Sequence, residues 1–72
     1  MSAVSGYHIL LASSVGERDG MGLELLSDVD GERVAEVFED GDTKIRTFSA
    51  FRAEAIPLTT LMWFLEKAEE RL

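Results

Sequence analysis

Asp28-x-Asp30-x-Glu32, with Glu36 and Glu39 downstream, is the pattern in this chain that comes nearest to a reaction or ligand site. It sets carboxylates at positions 1, 3, 5, 9 and 12 of an EF-hand-like calcium loop, whose ligands come from such positions. The fit fails where the geometry is strict. That loop needs glycine at its sixth position, where this chain has Arg33, and Gly31 falls two places early. The flanking residues also read as strands rather than helices. A solvated hairpin turn accounts for the same residues, because Asp and Gly dominate such turns. Asp40-Gly41-Asp42 reads the same way, so no metal ligand is assigned.

His8 is the single histidine, and there is no cysteine. Structural zinc normally draws on several His or Cys side chains. A nucleophilic site would need His8 beside Ser13, Ser14 or Ser49 with an orienting carboxylate, and no Gly-x-Ser-x-Gly elbow is present. His8 reads better as an imidazole filling a strand position. Gly16, Gly20 and Gly22 echo a phosphate-binding loop, but the Walker spacing and its Lys-Ser/Thr are missing. Paired carboxylates for hydrolysis would need a cleft that a chain this short can hardly build on top of a core. No enzyme, catalytic residue or cofactor is expected.

Lys44 and Arg46 are two residues apart, with Phe48 beyond them and Arg33 and Arg52 as possible neighbours. On a strand they would share one face, as in a β-ribbon that binds nucleic acid. Glu36 is expected across from Arg46, with Glu24 beyond it, and would neutralise the patch. Seven basic against fourteen acidic residues give a net charge of −7, which repels phosphate. A nucleic-acid-binding or antitoxin-like regulator is therefore the alternative reading, not the first.

The elements that hold these residues follow from patterning. At 72 residues the chain suits one domain, and a domain this size buries only about 60% of its unfolded surface. Apolar residues at 46% and charged residues at 29% match ordinary globular composition. Residues 1–6 read as a flexible N-terminal tail and 7–72 as a single α+β domain. No apolar run approaches the roughly 20 residues that span a bilayer, and Ile9–Ala12 is too short for a signal-peptide core. The expected location is cytoplasmic, and no membrane partner is expected.

Tyr7–Ala12 reads as a short buried strand, central or edge, and 14–20 as a polar loop. Met21–Asp28, Arg33–Glu39 and Thr43–Ser49 are strand-like runs separated by Asp30-Gly31 and Asp40-Gly41, each a strong hairpin signal. Three-residue, bulged loops would place Val37 opposite Ile45 and Ala35 near Leu25, with Leu23 and Thr47 completing an apolar face. Two-residue loops would set Leu25 against Glu36. The reverse face would carry Glu24, Glu36, Lys44 and Arg46 together with Leu26, Val34, Phe38 and Phe48. Pro57 suits the first turn of a helix running to Leu72. At about 100° per residue, Leu58, Leu61, Leu65, Ala68 and Leu72 share its apolar side. The expected architecture is an antiparallel β-meander of three to four strands followed by one C-terminal helix packed on one sheet face.

Trp63 falls off that stripe. It either meets another chain or is covered from within, by loop 50–56, by the N-terminal segment or by the Lys67 stem. A short chain without staples, a sheet apolar on part of both faces and this Trp together imply burial by another chain. The expected function is a small acidic, non-enzymatic protein-interaction module that self-associates as a homodimer. Trp63, Phe48, Leu26, Val34 and Phe38 are the candidate interaction residues. A basic protein is the better heterologous partner for a charge of −7.

Overall fold

Alternating apolar runs and turn residues produce four strands, and the Gly-free C-terminal segment produces one helix. The computed structural model describes residues 6–14, 19–52 and 55–72. Its elements are β1 (Tyr7–Ser14), β2 (Gly20–Ser27), β3 (Arg33–Asp40), β4 (Arg46–Ala50) and α1 (Leu58–Arg71). The strands pair antiparallel in the order β1-β2-β3-β4, and α1 packs on one face, giving an α+β meander. β1 is an edge strand. The expected tail, apart from Gly6, and Gly16 in the expected loop 14–20 lie outside the described residues.

The two Asp-Gly hairpins, β2–β3 first and β3–β4 second, use one turn design. Ser27 N–H donates to the Glu32 carbonyl at 3.0 Å, and the Ser27 carbonyl accepts from Gly31 N–H at 2.8 Å. Asp40 repeats this, donating to Ile45 at 3.0 Å and accepting from Lys44 at 3.0 Å. A side-chain oxygen steadies each loop: Ser27 Oγ accepts from Val29 N–H at 3.2 Å, and Asp40 Oδ1 from Asp42 N–H at 2.8 Å. The loops therefore span 28–31 and 41–44, one residue longer than expected. In both, the last loop residue is left-handed: Gly31 at φ 72° and Lys44 at φ 64°. Glycine adopts that conformation freely; lysine does not. Gly41 is not left-handed, contrary to the expectation for Asp-Gly. Its role is closeness, since a Cβ there would come within 3.0 Å of the Asp19 carbonyl oxygen.

Loop length then decides the faces. In the first hairpin Leu26 pairs with Arg33 and Leu25 with Ala35, so Val34 is an extra, bulged residue. The bulge turns Val34 to the same side as Ala35, and it lies in the core at 1% exposure instead of on the reverse face. The second hairpin has no such correction. Val37 meets Phe48 rather than Ile45, a slip of three residues. An odd slip exchanges the faces of a strand. Arg46 and Phe48 consequently stand on the helix side, and Thr47 on the reverse side.

Leu23, Leu25, Val34, Ala35 and Val37 close on Phe64 and Ala68. Thr60, Phe64 and Ala68 are the buried line of α1, flanked by Leu61, Trp63 and Leu72. The helix is rolled by about 80° from the expected stripe. Phe64 explains the roll. It is the largest fully buried side chain, and burying an aromatic ring gains more than burying a leucine. Trp63 is carried down beside it, while Leu58, Met62 and Leu65 are left outside at 67%, 61% and 43% exposure. Pro57 stands just before the first turn, at the N-cap, rather than within it.

Phe64→Ala is expected to lower unfolding stability by about 3–5 kcal/mol, and Leu58→Ala by under about 0.5 kcal/mol, in urea titrations. The opposite ranking would return α1 to the Leu58-Leu65 stripe. Lys44→Gly is expected to stabilise by about 1 kcal/mol, seen as a higher Tm, because it relieves a left-handed lysine. A lower Tm would mean that the 41–44 turn has another shape.

Candidate functional site

α1 rests on β1 and β2, so the helix side of β4 is left uncovered. Between them runs a groove of about 260 Å³, with Val37, Phe48, Leu65 and Ala68 along it and Arg46 and Glu69 at its polar margin. Phe48 and Leu65 face this space while 47% and 43% exposed. Met62 and Leu58 continue the apolar line along α1. Arg46 is directly across from Glu39 on β3, not from Glu36 as expected. Lys44 belongs to the turn, so Lys44, Arg46 and Phe48 do not form one open basic ribbon.

The reverse face is organised by two glycines. Gly22 makes room for Glu36, whose Oε2 would lie 2.7 Å from a Cβ at that position. Gly20 does the same for Phe38, whose Cζ would lie 2.7 Å from such a Cβ. Covered in this way, Glu36 is only 6% exposed and Phe38 7%. Glu36 is also directly opposite Glu24, and Glu24 Oε2 accepts from Arg33 Nη1 at 3.4 Å. The Arg33 guanidinium lies over the Phe51 ring at 4.7 Å. Leu26 is half-buried beside these groups, and Leu10 stands 52% exposed.

The five candidate interaction residues therefore do not form one surface. Val34 is in the core, Phe38 is covered on the reverse face, and Leu26 is half-buried there. Phe48 is in the groove on the opposite side. Trp63 is half-buried against the core, and the Lys67 ammonium turns to Glu70 Oε1 at 3.4 Å. Residues 53 and 54 of the loop considered as a cover for Trp63 lie outside the described residues. Leu10, Leu11, Leu58, Met62 and Leu65 are among the exposed apolar side chains that the sequence pattern did not single out, with Met21, Val29, Ile45 and Phe51 scattered elsewhere. Weighting the helical wheel by side-chain size would have found Leu58, Met62 and Leu65, since Phe64 and Trp63 then set the buried side.

The carboxylates of the calcium-like pattern have other work. Asp28 Oδ1 meets His8 Nδ1, tying the first hairpin loop to β1. Asp30 Oδ1 accepts from Glu32 N–H at 3.1 Å, and Asp30 Oδ2 pairs with Arg52 at 3.0 Å. Among the described residues, no three His, Asp or Glu side chains converge to hold a metal ion. The Glu32 N–H, and then Arg52, hold the Asp30 carboxyl below its ordinary pKa. The N–H groups of Thr43 and Asp42 do the same for Asp40. Nor, among the described residues, is any helix long and apolar enough to cross a membrane.

Both depressed carboxylates favour the folded state while ionised. Their contribution is present above the ordinary value of 3.8 and is lost as pH falls through the lower folded value. Thermal melts from about pH 6 to about pH 2 should show part of the acid loss disappear in Asp40→Ala. An unchanged acid limb would mean that the 41–44 turn does not hold its carboxylate charged. The chain matches no protein-family model, no curated protein and no solved structure, so its similarity to known proteins assigns it no activity.

Proposed function

We propose that the protein is a small acidic interaction module, without catalytic chemistry of its own, that works by self-association. The observation that carries this reading is where its apolar surface lies. Leu10, Leu11, Phe48, Leu58, Met62 and Leu65 are all at least two-fifths exposed in a chain of 72 residues. Exposed apolar side chains in a row or around a groove mark contact surfaces more often than scattered ones do. A second copy is the simplest cover for Leu10 and Leu11 on β1, because two-fold homodimers are the commonest assemblies and add core to a small domain.

The engagement of carboxylates in turns, rather than in a cleft, supports a non-enzymatic role. A heterologous partner, if one binds as well, would find the groove between α1 and β4, and the −7 charge favours a basic protein there. Nucleic acid is the weaker alternative, since Arg46 already faces Glu39 and shares the groove margin with Glu69. The cysteine-free composition suits a reducing compartment such as the cytoplasm. Sedimentation velocity over about a hundredfold range of concentration at physiological salt should show a dimer that persists on dilution. A monomer throughout would overturn self-association.

A further inference from the structure

The two edges of the sheet are built differently. β4 is five residues long, carries Arg46 and follows Lys44, which are the usual means of blunting an edge against pairing. β1 has none of these protections. Its eight residues, Tyr7–Ser14, include no Lys, Arg, Asp, Glu or Pro, and Leu10 and Leu11 are 52% and 41% exposed on opposite faces. Such an edge is a template for another strand.

Which backbone groups are free follows from the ladder. Asp28 N–H donates to the Gly6 carbonyl at 2.9 Å, and Tyr7 is opposite Ser27. Alternation in an antiparallel ladder then turns the N–H and C=O groups of His8, Leu10 and Ala12 toward β2. Those of Tyr7, Ile9, Leu11 and Ser13 point outward. We propose that β1 of a second copy pairs antiparallel with this edge, across a two-fold axis at Leu10. The proposal rests on self-association and specifies its geometry.

This register is self-complementary. Ile9 pairs with Leu11 of the second copy and Tyr7 with Ser13, each exchanging two hydrogen bonds, so every outward group on the strand is used. A slip of two residues either way leaves outward groups without partners. Leu10 meets Leu10 of the second copy at a non-hydrogen-bonded site, where side chains approach most closely. His8 faces Ala12. Two copies of −7 repel, and β1 itself carries no Asp or Glu to set against another.

The helices fit the same axis. α1 packs on the β1 and β2 side of one sheet face, so a two-fold axis through Leu10 sets both α1 helices on the same face of the joined sheet. Trp63 is about 160° around the helix from Leu65, which lines the β4 groove, so it lies on the side of α1 turned away from β4. The result is a continuous eight-stranded sheet with both grooves at its outer ends.

The chain's lack of cysteine makes the test clean. Leu10→Cys places two thiols across the axis at a Cα separation of about 4.5 Å, within disulfide reach. Under mild oxidation it is expected to give a covalent dimer, while Val29→Cys, 91% exposed in a hairpin loop, is not. Leu10→Lys should weaken dimerisation at least about tenfold with circular dichroism unchanged, since it sets like charges face to face. A dimer that survives Leu10→Lys, with no cross-link through Leu10→Cys, would overturn the β1 pairing and leave self-association standing. A wild-type chain that is monomeric at every concentration and not cross-linked through Leu10→Cys would overturn both.

Discussion

One helix about 10 Å across cannot cover four strands spaced about 4.8 Å apart. The remaining features of the molecule answer to that mismatch. Phe64 settles where the helix sits, over Leu23 and Leu25 at the centre of the cluster, and that choice covers β1 and β2. β4 is left with an open helix side, and Leu65 and Phe48 become the walls of a groove rather than part of the core. The sheet is paired strand to strand along its interior, with one bulge at Val34. It is incomplete in cover, and the proposed interaction role is the consequence of that shortfall.

Carboxylates carry the other half of the construction. An acidic chain of this size must place fourteen negative side chains without burying them unpaired. Four of them show how: Asp30 and Asp40 bind turn N–H groups, Asp28 meets His8 and Glu24 pairs with Arg33. The turns so formed set loop length, loop length sets register, and register decides which face each β4 side chain occupies. A hydrogen bond of 2.8 Å from Asp42 N–H to Asp40 thus belongs to the cause of Phe48 standing in the groove.

Much of this was legible residue by residue. The strand runs, the two hairpins, the pairing of Leu25 with Ala35 and the C-terminal helix follow from apolar spacing, Asp-Gly dipeptides and Pro57. Local chemistry writes those features, and local chemistry can be read. The candidate surface was much less legible. The pattern marks Phe48 as exposed but puts it on the wrong face, and it puts Val34 outside when a bulge brings it in. Leu10 gave no signal, because an apolar residue in a buried-looking run is indistinguishable from core until the strand is seen to lie at an edge.

What the sequence determined by itself was the set of elements, the acidic balance and the exclusion of cysteine chemistry, since each depends on residue type and near neighbours. Only the tertiary structure decided the roll of α1, the side on which Phe48 stands and the exposure of β1. Those outcomes turn on comparisons between distant groups. Phe64 competes with Leu65 for one cavity, a four-residue loop competes with a three-residue one, and four strands compete for one helix. Periodicity ranks residues within an element, but the burial of one element against another is settled by size and geometry that no local window contains.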